Sequence, residues 1–235
     1  MSPELIILLG TAATIGFVHT LMGPDHYLPF VALAKARGWS VAKTVWITLG
    51  CGVGHVLGSV VLGFVGIAAG ITLSRLDLVE STRGEIAAWL LIAFGLVYGA
   101  WGVVRAARNR PHAHVHIHED GAPHTHMHAH TTEHAHVHDQ SRKSLAAWTL
   151  FIVFVLGPCE PLIPLLLFPA AAQSPGAVWL VAAVFGVVTI TTMTGVVVLS
   201  LYGLKLVSLK SAGRYAHAVA GAVILLCGVA IQLGL

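Results

Sequence analysis

The chain has 235 residues, of which 56% are hydrophobic and only 10% charged, with mean hydropathy +0.82 and formal net charge +3. Ordinary soluble domains carry about 25% charged residues, so this composition excludes a soluble enzyme or binding domain and identifies an integral membrane protein. Cys51, Cys159 and Cys227 all fall in apolar stretches, which argues against a disulfide framework.

A membrane-spanning helix needs about 20 apolar residues. Such runs predict six spans, at 4–22 (continuing, interrupted by polar residues, to 34), 45–73, 86–104, 145–172, 177–204 and 216–235. The first reads as a retained span and not a signal peptide, since Glu4 stands where Lys or Arg would and no small-residue cleavage site precedes a soluble domain. It contains His19 and runs into Gly23-Pro24-Asp25-His26. The second carries His55 within Gly50-Cys51-Gly52-Val53-Gly54-His55-Val56-Leu57-Gly58, where small residues permit close helix approach. The fourth holds Gly157-Pro158-Cys159-Glu160, an echo of the first motif, and the fifth offers Thr189, Thr191, Thr192, Met193 and Thr194. His217 opens the sixth beside Arg214 and Tyr215 and reads as interfacial.

Aligning the two Gly-Pro motifs pairs spans one to three with spans four to six. Three helices per half is an odd number, so the halves are expected to be inverted repeats, an arrangement that places substrate near the midplane on interrupted helices. Proline lacks an N–H and clashes with the carbonyl four residues back, so breaks are predicted in the first and fourth helices at Gly23, Pro24, Gly157 and Pro158. The expected organisation is an all-α membrane protein, with one three-helix repeat over 1–108, a His-rich loop over 109–143 and a second repeat over 144–235. Eleven of the thirteen Lys and Arg residues lie in the connections that share one side; only Arg75 and Arg83 lie on the other. By the positive-inside bias, both termini are expected outside the cytoplasmic membrane and the loop inside. The basic pI of about 8.9 therefore reports topology, and no nucleic-acid partner is expected.

Polar and ionisable groups in hydrocarbon are costly and mark pathways. His19 and His26 are seven residues apart, nearly two helical turns, so they share a face, and a break at Pro24 draws them around one ion. Imidazole suits nickel, cobalt, zinc and copper, whereas magnesium and calcium favour oxygen. The candidate metal set is His19, Asp25, His26, His55, Cys159 and Glu160, with Thr191, Thr192 and Met193 as additional lining. Asp25 is either an oxygen ligand or the acceptor that fixes an imidazole tautomer. Cys159 is either a thiolate ligand or an inert buried thiol, and Glu160 either a ligand or a proton carrier.

Between the halves stand eleven histidines, His112, His114, His116, His118, His124, His126, His128, His130, His134, His136 and His138. Such tracts read as metal-binding. With few large apolar residues and with Pro111, Gly121 and Pro123, the segment is expected to be disordered without metal. Alternating histidines line one face of an extended chain, which suits capture or buffering by many weak sites. Titration near pH 6.5 makes pH sensing the rival reading.

These residues resemble the NicO/UreH group of nickel and cobalt transporters, in the superfamily of LysE-like exporters. The resemblance rests on His19 with Asp25-His26, His55 in the second span, Gly157-Pro158-Cys159 opening the second half, and the His-rich loop. Five residues separate His19 from Asp25, where the larger nickel/cobalt permeases have four. The resemblance implies Ni2+ or Co2+, with Zn2+ also in range, as transported ion.

The expected function is secondary transport of a divalent transition-metal ion, with direction open. No Gly-rich phosphate loop is present, and neither an enzyme activity nor a catalytic cofactor is expected. The bilayer and the ion are the expected partners, a second copy of the chain or a metallochaperone being further ones. Two alternatives belong to other classes. One is a membrane thiol-redox carrier like the cytochrome-biogenesis proteins, which would need a cysteine from each half. The other is a nickel-sensing or urease accessory protein that binds metal through the loop.

Overall fold

A computed structural model describes residues 2–108, 112–117, 123–128, 139–171, 175–206 and 210–234. Among the described residues eight α-helices follow one another: α1 (Pro3–Met22), α2 (Leu28–Arg37), α3 (Val41–Ala68), α4 (Leu73–Arg108), α5 (Asp139–Leu156), α6 (Leu162–Ala171), α7 (Pro175–Leu206) and α8 (Ala216–Gln232). Among the described residues five segments are long and apolar enough to cross a membrane, namely α1, α3, α4, the Pro175–Leu204 part of α7, and Gly213–Gln232. The chain is thus built as a multi-pass membrane protein. Exposed Trp46, Trp89, Trp148, Trp179 and Leu199 on its perimeter are as expected where the surrounding solvent is lipid.

Helix ends follow from local chemistry. Ser2 accepts a hydrogen bond from the Leu5 N–H at 3.3 Å, and Pro3 at the first turn has no N–H to leave unpaired. Helix α1 stops at Gly23, whose N–H still reaches the His19 carbonyl at 3.0 Å, because Pro24 has no N–H to continue the ladder. A single 3-10 turn, Pro24–His26, leads into α2, which ends at Gly38 with φ +64°, the left-handed cap that favours glycine. Ser40 then caps α3 through the Lys43 N–H at 3.2 Å.

The expected break at Gly157 and Pro158 is also present. There the run that begins at 145 divides into α5, whose apolar part is Leu145–Leu156, and the ten-residue α6. Pro158 and Pro161 each withhold an N–H from the ladder, so the chain turns between them. The third span also differs, beginning at Leu73 where the hydropathy run suggested 86. Its polar first turns are helical because Glu80 and Arg83 pair across one turn, the Arg83 Nη1 donating to Glu80 Oε2 at 2.8 Å.

An order of a helix ending at Gly-Pro, a ten-residue helix and two further helices occurs twice, in α1–α4 and α5–α8. Helix α1 packs on α7 and α5 packs on α3, the same contact with the halves exchanged. The most extensive contact joins α4 to α8 and depends on Gly221, where an added Cβ would collide with the Gly99 backbone. Such close approach is how helices associate where lipid removes the hydrophobic drive. One apolar cluster, with Phe30, Leu33, Cys51, Leu91, Leu150, Met193 and Ile224, ties α2 to α3, α4, α5, α7 and α8. A second, with Val56, Cys159, Leu162, Leu166 and Phe185, joins α1, α3, α6 and α7.

In the His-rich segment the described backbone forms an antiparallel ribbon of β1 (His112–Ile117) and β2 (Pro123–His128), with His112 opposite His128, His114 opposite His126 and His116 opposite His124. The alternation of histidine with Val115, Ile117 and Thr125 has the period of a strand. His118, His130, His134, His136 and His138 lie outside the described residues.

Candidate metal centre between the two helix breaks

Three of the sequence-nominated residues converge. One ring nitrogen from each of His19, His26 and His55 lies within 4.8 Å of the others. The His19 and His26 rings are 4.9 Å apart between centroids, and those of His26 and His55 5.2 Å, both edge to face. His26 and His55 are each 3% exposed. The residues come from three separate segments: the last turn of α1, the turn after Gly23, and the middle of α3.

The hydrogen bonds fix which nitrogen is free. His26 Nδ1 stands 3.1 Å from the Gly23 carbonyl and 3.2 Å from Asp25 Oδ1. Both partners only accept, so Nδ1 carries the hydrogen and Nε2 of the neutral ring presents a lone pair. His55 Nδ1 likewise donates to the Phe154 carbonyl at 3.2 Å, leaving its Nε2 as a lone pair. The Nε2 atoms of His19, His26 and His55 are all buried without a hydrogen-bond partner. An orphaned buried polar atom costs about 1–3 kcal/mol, and three in one place call for a ligand that accepts nitrogen lone pairs. Imidazoles whose far N–H is held by a carbonyl or carboxylate are the usual arrangement around a bound metal.

Both carbonyls are products of the breaks. In an uninterrupted helix the Phe154 carbonyl would receive the N–H of residue 158, but Pro158 has none. Gly157 N–H reaches it instead at 3.1 Å, and His55 takes the remaining lone pair. The Val155 carbonyl, whose helical partner would be the Cys159 N–H, receives Arg83 Nη2 at 2.9 Å, while the Cys159 N–H donates to Ser59 Oγ at 3.3 Å. Close packing at the break leaves little slack: a Cβ on Gly157 would stand 3.3 Å from His55 Nδ1, and one on Gly84 2.9 Å from the Pro158 ring.

Asp25 sits beside the group without joining it, its carboxylate holding His26. Cys159 and Glu160 are also outside the group. Cys159 is fully buried in the second apolar cluster, whereas Glu160 is exposed. Met193 is fully buried in the first cluster, and a Cβ on Gly52 would lie 3.4 Å from its Sδ, so it packs helices α3 and α7 together. Thr191 is exposed and Thr192 half-buried, while their neighbour Thr189 is fully buried with an unpartnered hydroxyl. His217 shares a 2.7 Å hydrogen bond with the Tyr98 hydroxyl and meets the Trp101 ring edge to face; it is not part of the three-histidine group.

Glu80 and Ser59 escaped the sequence reading. Glu80 is 1% exposed, with Oε1 unpartnered. The available signal was the stripe Leu76, Glu80, Gly84, Ala87, Ala88 and Leu91, which recurs at three- and four-residue spacing and puts Glu80 on the buried face of α4.

Set against known proteins, the chain matches no family model, no curated protein and no solved structure.

Proposed function

We propose that the chain is a secondary transporter of a divalent first-row transition-metal ion, Ni2+ or Co2+, held in passage by His19, His26 and His55. The observation that carries this reading is the set of three buried, partnerless Nε2 atoms, two of them on rings whose Nδ1–H is committed to a break carbonyl. A three-nitrogen set with one nearby carboxylate suits these ions in donor type. Its position between two interrupted helices in an apolar body suits passage better than permanent storage. The proposal includes a sixth crossing formed jointly by α5 and α6, an inverted relation between α1–α4 and α5–α8, termini outside the cytoplasmic membrane and the His-rich ribbon inside as a collector or buffer. It also carries forward the resemblance to the NicO/UreH group.

Nothing in the cysteine arrangement favours a thiol-redox carrier. Cys51 and Cys159 are free and belong to different apolar clusters.

The test is cellular nickel content in a host expressing the chain, its His26→Ala variant or an empty vector at matched expression. Lower nickel with the wild type than with either control assigns export, and higher nickel assigns uptake. Equal nickel in all three contradicts nickel transport.

A further inference from the structure

The Val155 carbonyl and the Cys159 N–H are the two ends of one helical hydrogen bond that the second break leaves unmade. Each end is taken by a side chain from another helix: Arg83 Nη2 of α4 donates to the Val155 carbonyl at 2.9 Å, and Ser59 Oγ of α3 accepts the Cys159 N–H at 3.3 Å. These two side chains are themselves joined, because the Glu80 carboxyl receives Arg83 Nη1 at 2.8 Å and also the Ser59 hydroxyl. Arg83, Glu80 and Ser59 thus bridge the opened bond from one end to the other, with Glu80 and Ser59 buried. Glycines of α3 make room for the bridge. A Cβ on Gly58 would stand 2.7 Å from Arg83 Nη2 and 2.9 Å from the Val155 carbonyl oxygen, and one on Gly54 would stand 2.7 Å from Val155 Cγ2.

We propose that this bridge holds the second break open and thereby orients His55, so that Arg83, Glu80 and Ser59 are positioning residues of the metal centre. His55 lies one turn before Ser59 on α3, and its Nδ1–H is donated to the carbonyl of Phe154, the residue before Val155. If the Cys159 N–H closed onto the Val155 carbonyl, the helix would run on through Pro158, and a proline ring inside a helix clashes with the carbonyl four residues back. That carbonyl is the one on Phe154, the acceptor of His55. With both ends of the bond occupied the helix does not close, and the Phe154 carbonyl stays turned to the imidazole.

Stability alone does not account for an ion pair at this place, since apolar side chains of similar volume often serve a buried site as well or better. What they lack is a donor for the Val155 carbonyl. The first break needs no such bridge: His26 meets the Gly23 carbonyl within one turn of chain, whereas His55 and Phe154 are 99 residues apart and come from different helices. As a device for a metal ligand the bridge rests on the reading of His19, His26 and His55 as a metal centre, but its hold on the His55 ring does not.

Nitrogen-15 magnetic resonance of the histidine rings in the full-length protein, purified without metal, tests the proposal, with the His55 signals identified by their loss in His55→Ala. In the wild type His55 is expected to carry its hydrogen on Nδ1 and a lone pair on Nε2. Two variants open the bridge. Ser59→Ala removes the acceptor of the Cys159 N–H, and Arg83→Met combined with Glu80→Gln removes the donor to Val155 without leaving a buried charge unpaired. Each is expected to turn His55 into a mixture of the two tautomers. His26, whose Nδ1 partners belong to the first break, is expected to keep its wild-type signals and so to report an intact fold. Wild-type His55 signals in either variant would overturn the proposal, as would a wild-type ring protonated at Nε2 or equal disturbance of His26 and His55. Because no metal is added, a failure of nickel transport or binding would not change this result.

Discussion

The Nδ1–H of His55 donates to the carbonyl of Phe154 at 3.2 Å, and Phe154 is the residue whose helical partner Pro158 cannot supply. The break in the second half thus orients a ring in the first half. Gly23 does the same for His26 at the first break. Each Gly-Pro motif therefore both interrupts a helix and yields a carbonyl that fixes the tautomer of a candidate ligand.

Pro158→Ala restores an N–H that competes with His55 for the Phe154 carbonyl. Loss of such an outer partner typically costs 10–100-fold in metal affinity, so Ni2+ affinity is expected to fall by that range. Thermal stability is expected to hold or rise, since proline inside a helix costs about 3 kcal/mol. Calorimetric titration together with a melting curve checks both halves of this prediction.

Asp25→Asn keeps an acceptor beside His26 Nδ1 but removes its charge. Nickel affinity at the buried group is expected to drop about tenfold, with the fold intact by circular dichroism. His26→Ala is expected to abolish that binding altogether. Equal effects of the two substitutions would mean that Asp25 is itself a ligand.

Substituting Gly221 by leucine drives a side chain into the Gly99 backbone where α4 meets α8. Overpacking of this kind costs about 1–3 kcal/mol. A lowered melting temperature with unchanged metal affinity per folded molecule is the expected pairing.

Removing residues 112–138 is expected to lower the number of nickel ions bound per chain while nickel movement continues. A loop-based sensor would instead lose its function. Counting bound nickel by equilibrium dialysis, beside cellular nickel content, distinguishes these outcomes.

Much of the site was legible because imidazoles beside Gly-Pro in an apolar run have few structural reasons to be there. Spacing and the break at Pro24 pointed to His19 and His26, and a polar side chain among small residues of the second span pointed to His55; the three rings lie together. Cys159 and Glu160 did not join them, because after Pro158 the chain turns and consecutive side chains diverge, one into an apolar cluster and one to the surface. Threonine positions in α7 failed on helical phase: Thr189 and Met193 face inward, four residues apart, and Thr191 faces out. The early start of α4 was hidden by its charges, which lower hydropathy although Glu80 and Arg83 satisfy one another within the helix.

X-ray absorption of Co2+ added at one equivalent to the chain lacking residues 112–138 tests the central claim most directly. Three imidazole nitrogens in the metal's coordination shell, reduced in His55→Ala, are the predicted result. A shell of oxygen atoms alone, or one unchanged by His55→Ala, would contradict a metal centre built from His19, His26 and His55.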